Sequence, residues 1–526
     1  MLIDGRQVPN GTTIETDVCV IGAGAAGITL ALALGGTDRS VALIESGGFE
    51  FDRATQSLYD GKSVGRTHVP LSASRVRFFG GTTNHWGGWC RPLENIDFES
   101  RAWVPHSGWP IARRELDPFY RRAHEIVGLG PFAYDAASWE RRGQGRRMPL
   151  DPQRFDTVMF QMHATRFGVA YREQVLKLNN VRTLIHSNVV ELVASGDSRE
   201  ISDARVATFA GNRFDVRSKI YIVACGAIEN ARILLASNRA RPAGIGNEHD
   251  LVGRFFMDHL QFVGAAELLP VEGRFDPSLY LQRMASPQVF GAVVPTDAVL
   301  EANRSLGYGM TVLPRFPKYL DQAAYSEGWE SFRALARRAA GGPAEGALTK
   351  HLWNVLSSLD RVASAAYGRL AASRVIRQYG IKFQSEQMPN PDSRVTLDED
   401  RDPLGMRRTK LDWRLAEEDF RTIRNGLELF AREVGRAGIG RLQIPDRVRD
   451  LAWRDAVIGS WHHMGTTRMS SDVKAGVVDS NCRVHSMANL YIAGSSVFPT
   501  VGYANPTLTL TALALRLAER VKAVLR

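Results

Sequence analysis

Two short apolar runs, Thr16–Ile21 (TDVCVI) and Val41–Ile44 (VALI), bracket Gly22-Ala23-Gly24-Ala25-Ala26-Gly27 and an Ala/Leu-rich stretch, Ile28–Leu34, that stops at Gly35-Gly36. The order predicts strand, glycine turn, helix, strand, with the acid Glu45 at the end of the second strand. This is the βαβ unit that binds dinucleotides. Gly22, Gly24 and Gly27 let the backbone turn tightly and approach a pyrophosphate, which sits at the positive end of the helix beginning at Ala25 and Ala26. Glu45 lies 23 residues after Gly22, where a carboxylate can accept hydrogen bonds from a ribose. The neighbouring Ser46 belongs to the same edge.

Other segments extend that unit. Ser218–Ala224 (SKIYIVA) reads as a buried strand leading into Cys225-Gly226-Ala227 and a helix over Ile228–Ser237. Asn489–Ala493 (NLYIA) reads as another strand before Gly494, and the amphipathic run Thr507–Val524 closes the sequence. A nucleotide domain with pieces at both ends implies material inserted between them. The expected organisation is a nucleotide domain over 1–265, a substrate domain over 266–454, and a return to the nucleotide domain over 455–526. The insertion mixes a strand-like start with a helix-rich basic stretch, Trp329–Tyr379, broken at Gly341-Gly342-Pro343.

Composition narrows the field. At 526 residues, with about 150 residues per domain, the chain has room for roughly three to four domain-sized units. Hydrophobic residues at 44% and charged residues at 23% exclude a disordered or fibrous protein. No apolar stretch is long enough to span a bilayer, and Met1–Thr16 lacks the apolar core of a secretory signal. Cys19, Cys90, Cys225 and Cys482 are scattered, with no spacing that suggests a metal or redox pair. A cytoplasmic location is therefore expected, with periplasmic export alongside a signal-bearing partner as the alternative. The net charge of +10 is spread along the chain as arginine, without the basic stripe or module that nucleic-acid binding requires.

Only one glycine fingerprint of this kind is present, so the expected nucleotide is a tightly held FAD that takes electrons directly from substrate. Gly80-Gly81-Thr82-Thr83-Asn84-His85-Trp86-Gly87-Gly88 suits a loop pressed against a flat ligand. Near the end stand Trp461-His462-His463-Met464-Gly465 and Tyr503-Ala504-Asn505-Pro506-Thr507. Asn505 before Pro506 fits an N-cap with proline in the first turn, aiming the helix's positive end at a ligand. Histidine is the natural general base for a hydroxyl proton at neutral pH. A core histidine pair and a plain structural cap are the bland alternatives.

With these stretches in view, the chain resembles the glucose–methanol–choline (GMC) oxidoreductase family. Asp17–Gly48, Gly80–Pro92, Ile220–Leu235 and Trp461–Val521 carry the resemblance in the family's order; Gly253–His259 (GRFFMDH) and Pro389–Leu397 also match family segments. The resemblance implies an α/β fold: a Rossmann-type FAD-binding domain with an inserted α+β substrate domain of antiparallel sheet plus helices. It selects His462 as base and Asn505 as partner of the alkoxide, with His463 second in line. It completes the FAD-contacting set with Val189, Ala224, Gly494, Pro506 and Thr507. Some members join FAD covalently to a histidine at the place of His85; others hold it without a bond. The ending, Gly494–Thr507, looks most like pyranose oxidases and bacterial sugar or glycoside dehydrogenases. The implied reaction is oxidation of an alcohol, with a secondary hydroxyl of a sugar or glycoside leading and other polyols or natural-product hydroxyls behind. Oxygen, a quinone or a redox subunit is the electron acceptor. A lyase on the same fold and a non-catalytic flavoprotein subunit are the competing classes, and the His462/Asn505 pair favours oxidation over both.

Overall fold

A computed structural model describes residues 1–195, 199–281, 287–315, 327–339, 347–370, 378–448 and 451–526. Its first sheet is the nucleotide sheet. Four parallel strands, Leu2–Asp4, Val181–Ile185, Val41–Ile44 and Thr13–Ile21, run in that spatial order into a fifth, Arg213–Val223. That long strand changes partners halfway. Its first residues, Arg213–Arg217, pair antiparallel with Ile201–Ala207, and its last, Tyr221–Val223, pair parallel with Leu490–Ile492. The burial pattern follows: alternate residues are buried in the first half, all of them from Ile220 onward. A strand covered on both faces needs apolar residues throughout, whereas a half-covered one alternates. The helices Ala25–Leu34, Ala227–Ala236 and Thr507–Val524 belong to this body, each starting at the carboxyl end of a strand region.

The second sheet is antiparallel. Its order is Gly440–Gln443, Leu260–Pro270, Gln378–Ser385, Tyr308–Arg315, Gln288–Pro295, Phe155–Met162, Trp89–Cys90, with Ile458–Gly459 pairing beside Leu260. The span 266–454 supplies much of this sheet, and the strands at 155–162, 89–90 and 458–459 join it from outside. One face packs on the helix Glu417–Arg436. Gly426 lets that helix approach closely, since a Cβ there would come within 2.9 Å of the Phe383 and Tyr308 rings. The other face looks toward the C-terminal segment: a Cβ at Gly309 would meet the Tyr503 ring at 3.1 Å, and Gln384 Nε2 donates to Tyr503 O at 2.8 Å. This sheet roofs the carboxyl end of the nucleotide sheet.

A third, three-stranded sheet joins Arg394–Arg401, Arg407–Trp413 and Gly61–Gly65. Between the roof strands, the helices Glu327–Ala339, Leu348–Leu356 and Leu359–Leu370 form an excursion with a small core of its own around Trp329, Val362 and Ala365. The break expected at Gly341-Gly342-Pro343 lies outside the described residues. No helix among the described residues is long and apolar enough to cross a membrane, and the four cysteines are free.

Candidate active site

The cleft begins where the strand Thr13–Ile21 ends. Gly22 turns with φ +101°, and the next glycine of the fingerprint, Gly27, packs its α-carbon on the Gly22 carbonyl; a Cβ at Gly27 would fall 1.8 Å from that oxygen. Gly24 starts the helix Ala25–Leu34 with no side-chain cap and open space where a Cβ would be. Gly226 opens the helix Ala227–Ala236 in the same way. Uncapped amides at two such helix ends favour a bound anion. Glu45 is buried and its carboxylate accepts from the amides of Ala23 (2.9 Å) and Gly47 (3.0 Å), so it clamps the turn as well as lining the cleft. Burial raises its affinity for a proton despite those two bonds.

Of the residues expected around a flavin nucleotide, Gly22, Gly24, Ala25, Ala26, Glu45, Ser46, Gly81, Thr82, His85, Trp86, Val189, Ala224, Gly494, Asn505, Pro506 and Thr507 line this one cleft, and His462 stands at it too. Gly27, Gly80 and Asn84 stand behind its wall. Gly27 serves helix–strand packing. Gly80, at φ +98°, lets the loop pass Gly168, and Asn84 Nδ2 donates to Phe79 O at 2.9 Å, holding the turn. The His85 ring is exposed on the cleft and makes no hydrogen bond.

Sequence reasoning missed a charged cluster on the same wall. Glu229, in the first turn of the helix Ala227–Ala236, is buried against three guanidiniums: Arg75 at 3.2 Å, Arg77 at 3.1 Å and Arg232 at 3.3 Å. Burial alone would raise the Glu229 carboxyl, but the three cations outweigh it and hold it down at about 2. Arg75 and Arg77 line the cleft. Their only signal in the sequence was an Arg-Val-Arg run just before Gly80.

At the other end the chemistry-bearing side chains meet. His462 Nε2 lies 3.3 Å from Asn505 Nδ2, and His462 Nδ1 lies 2.9 Å from Nδ1 of His259. His259 Nε2 lies 3.2 Å from the carbonyl of Val501. A carbonyl can only accept, so His259 carries its proton on Nε2 and presents a bare Nδ1. His462 must then donate from Nδ1, which leaves its Nε2 unprotonated, its lone pair accepting from Asn505 Nδ2. The neighbouring Asp258 fixes the backbone: its carboxylate accepts from the amides of Ser460 (3.1 Å), Trp461 (3.0 Å) and His462 (2.8 Å), with Trp461 at φ +64°. Burial would raise Asp258, yet His68 and the nearby rings keep it at about 2. Burial also drives His462 down to about 3, aided by the charges of His259 and Lys382, so the ring is neutral at physiological pH.

Asn505 was expected to cap the last helix. Instead Pro506 is the helical neighbour of Thr507, its carbonyl accepts from Leu510, and the Asn505 amide is engaged by His462 and by Gln384 Nε2 at 3.3 Å. The side chain is turned across the site rather than back onto its own helix. His463 also lines the cleft, its ring buried against His68 (5.3 Å) and Phe256 (5.6 Å). Among the described residues, His68, Asp258 and His463 alone bring three potential metal ligands within 4.8 Å of one another; three backbone amides already occupy the Asp258 carboxylate.

Residues 389–514 match the family model described as GMC oxidoreductase. The chain is 23% identical to the 2-methyl-1,2-propanediol dehydrogenase of Mycolicibacterium austroafricanum, over 96% of its own length and 95% of the relative's. It is 24% identical to the C-glycoside 3-oxidase of Microbacterium trichothecenolyticum, over 87% and 77% of the two. The crystal structure of a formate oxidase superposes with a TM-score of 0.57 at 17% identity, covering 98% of this chain and 99% of that one, a likeness of fold. FAD fits the residues present: two uncapped helix ends, open glycine α-carbons at Gly24, Gly226 and Gly494, and paired arginines supply a cradle for an extended, anionic nucleotide.

Proposed function

Because the chain belongs to the GMC oxidoreductase family, FAD-dependent enzymes that oxidise CH–OH groups, we propose that it oxidises a secondary hydroxyl of a sugar or glycoside, with His462 as the base. The observation that carries this reading is the unprotonated Nε2 of His462, held against the Asn505 amide donor at the end of the cleft. His462 Nε2 takes the hydroxyl proton. Asn505 Nδ2 donates to the oxygen as it becomes an alkoxide, which lowers the barrier where charge develops. Bound FAD supplies the acceptor for the hydride that leaves the same carbon. The similarity to an enzyme named for oxidation at position 3 of a C-glycoside supports a ring hydroxyl, as do the polar amides of Gln384 and Gln261 in the roof.

Anaerobic bleaching of the flavin band with sugars, glycosides, polyols and simple alcohols tests the reading. Bleaching by ring sugars or glycosides sustains it; bleaching by simple alcohols alone replaces the substrate class, and none by any alcohol removes the reaction. Readmitting oxygen then separates an oxidase, whose colour returns, from a dehydrogenase that passes electrons to a quinone or a redox subunit. The finer form of the cofactor reading is covalent attachment through His85, supported by its unengaged ring on the cleft. Flavin that stays with acid-precipitated protein, and is released after His85→Ala, sustains that form; flavin freed from the unaltered protein removes it.

A further inference from the structure

The roof over the base is arranged in rows. Across the strands Leu260–Pro270, Gln378–Ser385 and Tyr308–Arg315, Gln261, Gln384 and Gly309 stand opposite one another, and so do Val263, Lys382 and Thr311. Residues directly opposite share a face of the sheet, as do residues two apart along a strand. The first row touches the active site: Gln384 reaches Asn505, Gln261 donates to Gln384 at 3.1 Å, and Gly309 makes room for Tyr503. The second row lies two residues further out, about 7 Å along the strand.

That second row is chemically unfinished. Among the described residues no carboxylate or carbonyl takes a hydrogen bond from the Lys382 ammonium, which sits 4.4 Å over the Trp89 ring. A ring face attracts a cation but leaves its three N–H donors without oxygen acceptors. Opposite, Thr311 is 8% exposed and its Oγ1 has no partner. On the other side Val263 is 52% exposed, so the space beside the ammonium is open. One step further, Gly380 has no side chain and the Arg315 guanidinium occupies that space, 2.8 Å from where a Cβ would be. Among the described residues that guanidinium pairs with Glu267, 3.9 Å away. The ammonium and an orphan hydroxyl therefore stand together one row out from Gln384, with the Arg315–Glu267 pair one row beyond them.

We propose that Lys382, with Thr311 beside it, is a subsite for a carboxylate on the substrate, so that the sugar or glycoside oxidised here is an acidic one. The inference rests on the reaction proposed above and adds its substrate class. A carboxylate supplies what each group lacks: negative charge for the ammonium, an acceptor for its N–H donors and for the Thr311 hydroxyl. A neutral hydroxyl at the same place would satisfy Thr311 and leave the ammonium without a counter-charge. The geometry puts the acidic group about one sugar ring away from the carbon whose hydroxyl meets His462.

Burial lowers the Lys382 ammonium to about 8. Of its neighbours across the sheet, Val263, Thr311 and Trp89 do not titrate; the ion pair of Arg315 with Glu267 lies one row further out, and His462, which feels the ammonium's charge, is already neutral. Preference for an anion is therefore expected to fade as pH rises through about 8, where the lysine loses its proton.

The test compares binding of matched pairs to the FAD-loaded protein by calorimetry: methyl β-glucuronide against methyl β-glucoside, and the corresponding galacto pair. At about pH 6.5 the acidic member of at least one pair is expected to bind about tenfold more tightly or better. The preference should shrink as pH rises through about 8; Lys382→Gln should abolish it, and Lys382→Arg should preserve it at high pH. Equal binding within both pairs, no binding by either, or a preference unchanged in Lys382→Gln overturns the subsite. Because calorimetry reads binding and not turnover, an acid preference without flavin bleaching by any alcohol removes the reaction and keeps the subsite; bleaching with equal binding does the reverse.

Discussion

His462 keeps Nε2 unprotonated only while His259 accepts from its Nδ1. His462→Ala is expected to slow anaerobic flavin reduction by about 10²–10⁴-fold with FAD still bound, the usual contribution of a general base. His259→Leu removes the acceptor without touching the base. The His462 ring is then free to carry its proton on Nε2, and reduction should slow by at least about tenfold with little change in KM. His259→Asn, which offers an amide oxygen in its place, should recover part of the loss. Burial sets the pH profile. With His462 held at about 3, the base form is lost only as pH falls through about 3, so the rate of reduction should show no acid limb near 6.5, the ordinary range of histidine. A limb there would assign proton uptake to another group. The choice of His462 over His463 rested on its place before the Gly465-Thr466 step in a known family pattern, and both residues line the cleft. That His259 fixes its tautomer was invisible, because the two rings come from positions 203 residues apart.

The segment bearing the base is an irregular strip, and a single carboxylate holds it in shape. Asp258→Ala would strip the acceptor from three consecutive amides, Ser460 to His462. Loss of buried charged hydrogen bonds of this kind should cost about 3 kcal/mol or more in urea unfolding. At this scale the sequence was read most successfully where a strand or helix follows its own local pattern. The strand and turn over 13–27 and the last helix over 507–524 lie where apolar runs and glycines put them. The Asn505 cap failed because capping competes with any other use of the amide, and the partners that won, His462 and Gln384, are remote in sequence. Propensity describes what a residue does with its neighbours along the chain and says nothing of an offer made across the fold.

The three sheets meet through buried charge. Arg232 bonds Asp402 at 2.7 Å and pairs with Glu229, linking the small sheet's hairpin to the nucleotide body, and Arg101 holds Glu386 of the roof with bonds of 2.7 and 2.8 Å. For Glu229 the sign is clear. Its carboxyl is lowered from 4.5 to about 2, so its stabilisation is complete above 4.5 and is lost as pH falls through about 2. The shift corresponds to about 3 kcal/mol. Acid unfolding followed by circular dichroism should therefore flatten between those limits in Glu229→Gln, a variant that is also less stable at neutral pH. None of these junctions was legible beforehand. The bipartite α/β plan was, because a nucleotide unit split between the two ends implies an insertion. The roof's membership was not: Phe155–Met162 and Trp89–Cys90 join strands far along the chain, and pairing between distant strands leaves no periodic trace.

The register of the roof carries a practical corollary. Arg315 and Gln378 stand directly opposite each other at the ends of adjacent antiparallel strands, close enough for a tight turn of two to five residues to join them. The helices Glu327–Ala339, Leu348–Leu356 and Leu359–Leu370, which lie between those two positions in the chain, are an ornament on the sheet. Replacing them with such a turn would also delete the outward-facing Trp353 and Leu356, 71% and 62% exposed, and would yield a trimmed enzyme whose cradle, base and lysine row are all retained.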